Sequence, residues 1–265
     1  MSNHIFVLSY CGAQDFFDSI KIEDFTDSTF YFIDNGNQNY TPSFDCFIHT
    51  TARNIGCAGG WNLICKLAFE HFNLDKIIIT QDDATYTEQQ IEDALAETNA
   101  TCLTGVYQPY FEFSCFGISK ETYKSVGMFD ENFIYVYSED ADYKQRCFRK
   151  NITINTLMVP SEGSNKSLTL KKNPNMNRIM YNREYLKFKW GNSIHPSNSA
   201  RADMQAPFEY LTPFSDVGLF PLDYIPISDR ITKLYYADSQ LIDNLCLPSI
   251  EEYDKFIKRK GKQNV

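Results

Sequence analysis

The first part of the chain alternates short apolar runs with segments in which apolar residues recur at helical spacing. Each run ends in polar, turn-forming residues, which is typical of buried strands separated by loops. Residues 77–79 are three consecutive isoleucines, and β-branched residues in succession favour a strand that is covered on both faces. We predict strands at residues 4–10, 29–33, 44–49 and 77–79.

Helical segments fill the intervals between the later strands. A helix is predicted up to residue 72, because Leu63, Leu67 and Phe69 fall among its apolar positions. A second helix is predicted over residues 88–96. Alternating strands and helices indicate a mostly parallel sheet with helices on both faces, so the predicted fold class is α/β.

The character of the sequence changes near residue 193, where Pro, Ser, Asn and Asp begin to separate aromatic residues. We expect residues 1–192 to form the main domain and residues 193–265 to form a C-terminal extension packed on it. The extension is too apolar for a free linker, and its prolines exclude a long helix ahead of a short final one at residues 249–258. Its aromatic residues expected to be buried are Phe208, Tyr210, Phe214, Phe220 and Tyr224.

Composition narrows the class of function. A formal net charge of −9 argues against a general nucleic-acid binder, whose surface would be basic. The 8 cysteines include no C-x-x-C pair, so we interpret them as reduced thiols of a soluble, cytoplasmic protein. No apolar run reaches the roughly 18 residues expected of a membrane span. Basic residues near the C-terminus predict at most weak peripheral contact with a membrane.

A first acidic cluster, Asp82 and Asp83, directly follows the predicted strand at residues 77–79. Open α/β sheets bind ligands at the carboxyl ends of their strands, and carboxylate oxygens suit hard ions such as Mg²⁺ or Mn²⁺. An ion held there would bind a diphosphate. The alternative is that the two aspartates cap the helix that begins near Thr87.

A second acidic cluster, residues 138–142, begins another predicted helix. Ordinary helix chemistry explains it equally well, because Ser138 can cap the helix and acids are favoured near a helix N-terminus. Two pairs at i,i+4 spacing, Asp140 with Lys144 and Asp142 with Arg146, would add to that stabilisation.

The order of these motifs resembles the glycosyltransferases of the GT-A fold, specifically the inverting family 2 that includes rhamnosyltransferase-like enzymes. Residues 54–62 are similar to the family's N-x-G-x-A-G-G-x-N segment, residues 127–133 to its G-G-F-D-E-x-F, and residues 138–142 continue into its E-D-x-D. The resemblance covers residues 4–192. It implies a Rossmann-like, mostly parallel sheet with helices on both faces, and a C-terminal extension that the family pattern does not cover.

Two features depart from the family pattern. The family's metal motif is D-x-D, whereas Gln81 precedes the two aspartates here, so its first acid is missing. A histidine that members carry in a later loop is absent from residues 161–167, where Glu162 is a candidate stand-in.

The resemblance implies a metal-dependent inverting enzyme that moves a sugar from a nucleoside-diphosphate sugar to a hydroxyl of a glycan or lipid-linked glycan. Asp82 and Asp83 would hold Mn²⁺ or Mg²⁺, and Asp140 would be the general base. The alternative hypothesis is a non-catalytic nucleotide-sugar-binding protein of the same fold. A nucleotidyltransferase is disfavoured, because residues 10–14 lack the basic side chains of its glycine-rich loop. The candidate nucleotide- and substrate-binding residues are Ser9, Asp34, Arg53, Asn54, Gly60, Asn62, Gln81, Asp82, Glu139 and Trp190.

Several of these candidates also have structural interpretations. Asp34 begins an Asp-Asn-Gly sequence typical of a turn, and Asn54 can equally form a turn. Gly60 allows backbone to approach a ligand, but close packing of a helix on a sheet needs a small residue equally. Arg53 is interpretable as a surface arginine.

Overall fold

The computed structural model describes residues 2–51, 54–106, 113–131, 133, 135–157, 182 and 186. Within these residues a seven-stranded sheet has the order β3-β2-β1-β4-β6-β5-β7. All neighbouring strands are parallel except β6, which is antiparallel to both β4 and β5. The strands are β1 (Asn3–Ser9), β2 (Ser28–Asn35), β3 (Phe47–Thr51), β4 (Lys76–Gln81), β5 (Cys102–Gly105), β6 (Cys115–Ser119) and β7 (Thr153–Thr156).

Five α-helices accompany the sheet in the described part of the chain. They are α1 (Ala13–Ser19), α2 (Gly56–Lys66), α3 (Glu88–Glu97), α4 (Lys120–Val126) and α5 (Glu139–Arg149). A π-helical segment, Leu67–His71, continues α2, so the helix predicted up to residue 72 is present with a change of winding. The predicted α/β class, with a mostly parallel sheet, is confirmed.

Two apolar clusters lie on opposite faces of the sheet. One contains Phe6 and Leu8 of β1 with residues of α2, α4 and α5, and the other contains Ile5 and Val7 with residues of α1 and α3. The three isoleucines of β4 divide in the same way and are each 0% exposed. The sheet is therefore covered on both faces, as the run of isoleucines predicted.

The third strand begins later than predicted. Phe44, at the start of the predicted run, lies outside β3, where its ring contacts those of Phe16, Phe17 and Phe30. The apolar character of residue 44 therefore reflects packing of the loop before β3 against α1 and β2. Periodicity alone does not distinguish that arrangement from a strand.

The topology defines one edge of the sheet as a place for a ligand. Strands β1 to β4 run parallel, so their carboxyl ends share this edge. The chain passes from β1 outward to β2 and β3 and then returns to β4 on the other side of β1. Such a reversal of strand order opens a crevice between β1 and β4, where α/β sheets bind ligands.

The predicted C-terminal extension, residues 193–265, lies outside the described residues, so its packing stays a prediction. Among the helices that the structure describes, none is both long enough and apolar enough to cross a membrane.

Candidate functional site

Asp82 and Asp83 follow β4 at the crevice and are 8% and 7% exposed. The Asp82 amide donates to the Leu8 carbonyl of β1 at 3.3 Å, and the Ser9 hydroxyl donates to Asp82 Oδ2 at 2.6 Å. Neither aspartate caps α3, because Thr87 holds that position and its hydroxyl accepts a hydrogen bond from the Gln90 amide. The capping alternative for the acid pair is therefore wrong.

Gly12 lies directly against the Asp82 carboxylate. A Cβ atom added at Gly12 would overlap the side chain of Asp82. The backbone torsion φ of Gly12 is −118°, so the requirement for glycine here comes from space and not from backbone conformation. Sequence reasoning missed Gly12, although a glycine just beyond a strand at this edge is a usable signal.

Asp34, near the end of β2, is 1% exposed, and its carboxylate accepts hydrogen bonds from Gln38. The Gln38 backbone amide lies 3.0 Å from each Asp34 carboxylate oxygen, and Gln38 Nε2 donates to Asp34 Oδ1 at 3.0 Å. The same Nε2 lies 3.1 Å from the Ser9 carbonyl and 3.2 Å from Ser9 Oγ. The turn interpretation of Asp34 is thus confirmed, and Gln38, which no sequence signal identified, links it to Ser9.

Asn54 forms the turn that leads into α2. Its Oδ1 accepts hydrogen bonds from Asn35 Nδ2 at 3.0 Å and from the Gly56 amide at 2.8 Å. Asn35 in turn accepts from the Ile55 amide at 2.8 Å. The structure therefore gives Asn54 the turn-forming role that the sequence left open, at the same edge as the acid pair.

Gly60 and Asn62 serve packing in this structure. A Cβ atom at Gly60 would overlap the Leu8 side chain of β1, so glycine allows α2 to approach the sheet. Asn62 is 0% exposed and uses its whole amide: Nδ2 donates to the Phe129 carbonyl and to Glu131, while Oδ1 accepts from the Phe129 amide and the Tyr123 hydroxyl. We therefore leave Gly60 and Asn62 out of the proposed binding site.

The second acidic cluster begins α5 and contains both predicted ion pairs. Lys144 Nζ lies 3.6 Å from Asp140 Oδ2, and Arg146 Nε lies 2.9 Å from Asp142 Oδ2. The second pair is fully buried, and Arg146 also donates to the Met128 carbonyl at 2.6 Å. Asp142 and Arg146 thus stabilise the packing of α5 on the loop before it. The Asp140 side chain, by contrast, is 25% exposed and accepts a hydrogen bond from the Ala141 amide at 2.7 Å.

Glu139, next to Asp140, is buried. Burial, and then the charge of Asp140, raises the pKa of Glu139 to about 8, although backbone amides of Glu139 and Tyr137 donate to its carboxylate. Within the described residues its Oε2 atom has no hydrogen-bond partner. Burial of this kind disfavours a charged carboxylate, so Glu139 is largely protonated at neutral pH.

The segment before α5 is strained. Tyr135, Tyr137 and Ser138 have φ of 60°, 78° and 76°, a region that costs a non-glycine residue roughly 1–2 kcal/mol. Ser138 makes no capping hydrogen bond with its side chain, so its predicted capping role is wrong. Backbone carbonyls of the segment accept hydrogen bonds from the Cys57 amide at 2.7 Å and from Asn182 at 2.8 and 2.9 Å.

Carboxylates of both acidic clusters influence the pKa of Cys57, in the first turn of α2. Burial, followed by the charges of Glu139, Asp83, Asp82 and Asp140, raises the pKa of the Cys57 thiol well above its usual range. Carboxylates that follow β4 and carboxylates that begin α5 therefore act on one thiol, which stays protonated.

The acid pair fits a hard divalent ion. No set of three or more His, Cys, Asp or Glu side chains in the described ranges is arranged to hold a metal. Mg²⁺ and Mn²⁺ commonly bind one or two carboxylates and complete their coordination with water and substrate phosphates. Asp82 and Asp83 are adjacent, buried carboxylates of that kind, so they are the residues that would hold such an ion.

The remaining candidates divide into one described and three undescribed residues. Gln81 ends β4 directly before the acid pair, and its backbone amide donates to the Ser114 carbonyl at 2.9 Å. Arg53, Glu162 and Trp190 lie outside the described residues, so their predicted roles stay predictions.

No family model and no curated protein sequence matches this chain. Among solved structures, the chain is similar to a "putative nucleotide-diphospho-sugar transferase" from Desulfovibrio desulfuricans G20. The two share 10% sequence identity, and the match covers 67% of this chain and 90% of the other with a TM-score of 0.37. At this TM-score the likeness carries no argument about function.

Proposed function

We propose that this protein is a metal-dependent inverting glycosyltransferase that transfers a sugar from a nucleoside-diphosphate sugar to a hydroxyl group of a glycan or related acceptor. One observation carries the proposal: two buried carboxylates, Asp82 and Asp83, follow β4 at the edge where the carboxyl ends of the parallel strands meet, and Ser9 of β1 donates a hydrogen bond to Asp82. The motif resemblance described above supports it independently.

Asp82 and Asp83 would hold Mn²⁺ or Mg²⁺ at the crevice. Such an ion supplies Lewis-acid stabilisation of the charge that develops on a departing diphosphate. Ser9 donates to Asp82 Oδ2 and so fixes the orientation of that carboxylate. The donor nucleotide would lie toward β2, near Asp34 and the turn at Asn54.

Asp140 is the proposed general base. It is the more exposed of the two adjacent acids at the start of α5, so a substrate hydroxyl can reach its carboxylate more easily than that of Glu139. Glu139 is buried with a raised pKa, so it suits hydrogen-bond donation to a substrate oxygen better than proton abstraction. An inverting displacement needs a single base and no covalent nucleophile.

The first experiment tests the metal site. Replacing both acids, Asp82→Ala with Asp83→Ala, should abolish Mn²⁺-dependent binding of UDP-, dTDP- or GDP-sugars in calorimetry and leave the circular dichroism spectrum unchanged. The matched control is Glu92→Ala with Asp93→Ala, an adjacent exposed acid pair on α3, which should bind as the wild type does. Equal donor affinity in EDTA and in Mn²⁺ would contradict the metal assignment.

The second experiment tests catalysis and separates the enzyme from the non-catalytic alternative. Asp140→Asn keeps the size of the side chain but removes the base, so kcat should fall by roughly 10²–10⁴ while donor binding persists. Release of nucleoside diphosphate is the readout, because a protein that only binds the donor releases none. Near-native turnover of the variant would move the base to another acid.

A further inference from the structure

The Gln38 side chain joins the two halves of the proposed donor site. It contacts Asp34 at the end of β2 and Ser9 at the end of β1, and its Oε1 accepts the Ala13 amide at 3.2 Å. Ser9 then donates to Asp82. A continuous chain of hydrogen bonds therefore runs from the carboxylate near the proposed nucleotide position to a carboxylate of the proposed metal site.

Gln38 also settles where the single hydroxyl proton of Ser9 points. Ser9 Oγ accepts from Gln38 Nε2 at 3.2 Å, so its own proton is directed to Asp82 Oδ2, 2.6 Å away. A hydroxyl that accepts one hydrogen bond becomes a better donor in the next. Without the Gln38 amide, the Ser9 hydroxyl is free to rotate away from Asp82.

The side-chain amide of Gln38 has fewer N–H donors than there are acceptor oxygens around it. Its NH₂ group carries two N–H bonds, but three oxygens lie within 3.0–3.2 Å: Ser9 O, Ser9 Oγ and Asp34 Oδ1. A ligand hydroxyl that donates to Asp34 Oδ1 would compete with Nε2 for that oxygen. Both N–H bonds would then serve Ser9, and Ser9 would hold Asp82 more firmly.

We infer that Gln38 is a positioning residue that couples the binding of the nucleoside part of the donor at Asp34 to the binding of a divalent cation at Asp82. The inference rests on the proposed function, because it assigns those two ligands to those two carboxylates. Gln38 itself touches neither the ion nor the reacting atoms. Its effect on cation affinity passes through the orientation of Ser9.

The test measures Mn²⁺ affinity by calorimetry in the absence of nucleotide. Gln38→Met keeps the length of the side chain and removes its polar atoms, so the Kd for Mn²⁺ should rise about tenfold, as for other losses of a group that orients a metal ligand. Gln38→Leu also removes the NH₂ donors without adding a charge, so it should weaken binding too and serves if Gln38→Met does not fold. Gln89→Met is the control, because Gln89 is a glutamine of α3 whose side chain bonds Asp93 near the protein surface.

A double-mutant cycle distinguishes positioning through Ser9 from a general loss of structure. If Gln38 acts through Ser9, then Ser9→Ala should weaken Mn²⁺ binding, and the double variant should be no weaker than the weaker single variant. Additive effects, or a Gln38→Met variant within twofold of wild type, would overturn the inference while leaving the proposed metal site standing. A wild-type protein that does not bind Mn²⁺ would remove the metal site and the inference together.

The coupling has its own measurement. Uridine, cytidine, adenosine and guanosine carry no phosphate, so they cannot bridge to the cation directly. At a saturating concentration, the nucleoside that binds should lower the Kd for Mn²⁺ in the wild type and leave it unchanged in Gln38→Met. If no nucleoside changes the Mn²⁺ affinity of the wild type, the competition at Asp34 is wrong.

Discussion

At the scale of single residues, burial gives adjacent acids different chemistry. Glu139 is buried and its pKa is raised to about 8, whereas Asp140 is partly exposed and pairs with Lys144. The sequence shows only two neighbouring carboxylates, and their order along a helix does not reveal which one is desolvated. Resemblance to a family supplies the candidate base, but the protonation of its neighbour follows from the fold alone.

The raised pKa of Glu139 predicts a pH dependence of stability. Below about pH 4.5 the Glu139 carboxyl is protonated in both the folded and the unfolded protein. As the pH rises toward 8, it ionises in the unfolded state before it does so in the folded state, so the folded state loses stability relative to the unfolded state. Glu139→Gln removes that cost, so the variant should be more stable than wild type by roughly 2–4 kcal/mol at pH 8 and by much less at pH 5. Urea denaturation across this range measures it, and a difference independent of pH would contradict it.

Two glycines should respond differently to the same substitution. Gly12→Ala places a methyl group against the Asp82 carboxylate, so Mn²⁺ affinity should fall about tenfold with little change in stability. Gly60→Ala places it against Leu8 in the core, so the free energy of unfolding should fall by about 1–3 kcal/mol. Calorimetry measures Mn²⁺ affinity and urea denaturation measures stability, and each variant serves as the control for the other. A loss of Mn²⁺ affinity in Gly60→Ala with a loss of stability in Gly12→Ala would mean that Gly60 faces the ligand.

At the scale of elements, the sequence predicted what depends on periodicity and missed what depends on geometry. The buried strand at residues 77–79, the helix at residues 88–96 and the pairs at i,i+4 on α5 follow from local spacing, and the structure contains them. The Ser138 cap failed because a left-handed turn precedes α5. Gln38 carries no signal at all, because its partners come together only when β1, β2 and the loop between β2 and β3 assemble.

The strained turn before α5 predicts a stabilising substitution. Ser138→Gly relieves the cost of φ at 76° but increases the entropy of the unfolded chain, so we expect a net gain of roughly 0.5–1 kcal/mol in urea denaturation. Ser119 is the matched control, because it caps α4 with its side chain and has φ of −93°. Ser119→Gly should stabilise nothing, and equal effects at the two positions would contradict the strain argument.

At the scale of the whole molecule, one sheet with two buried faces accounts for the described residues, yet an apolar edge is left exposed. Phe47 and Ile48 of the edge strand β3 are 57% and 45% exposed. Long exposed apolar edges favour association between chains. We expect residues 193–265 to pack on the main domain, which would change how much apolar surface the full chain exposes. That expectation comes from the composition of the segment alone.

Truncation tests that expectation. A chain that ends at Asp203 should be less soluble and bind more of a hydrophobic dye than the full chain, because removing the extension should expose the apolar surface that it is expected to cover. A chain that ends at Lys255 retains them and should behave as the full chain does. Light scattering and dye fluorescence measure both, and a soluble, fully active protein ending at Asp203 would show that the extension is not part of the folded unit.

The central position of β1 and β4 has a consequence for the dynamics of the site. These strands pair on both sides and are covered on both faces, so their amides should be among the last to exchange with deuterium. Asp82 is anchored to them, whereas the acids of α5 follow a strained turn held by Cys57 and Asn182. Ligand binding should therefore slow exchange mainly at residues 135–140 and leave β1 and β4 almost unchanged. The proposed metal site would then be rigid before the ligand binds, and the start of α5 would be the part that changes conformation.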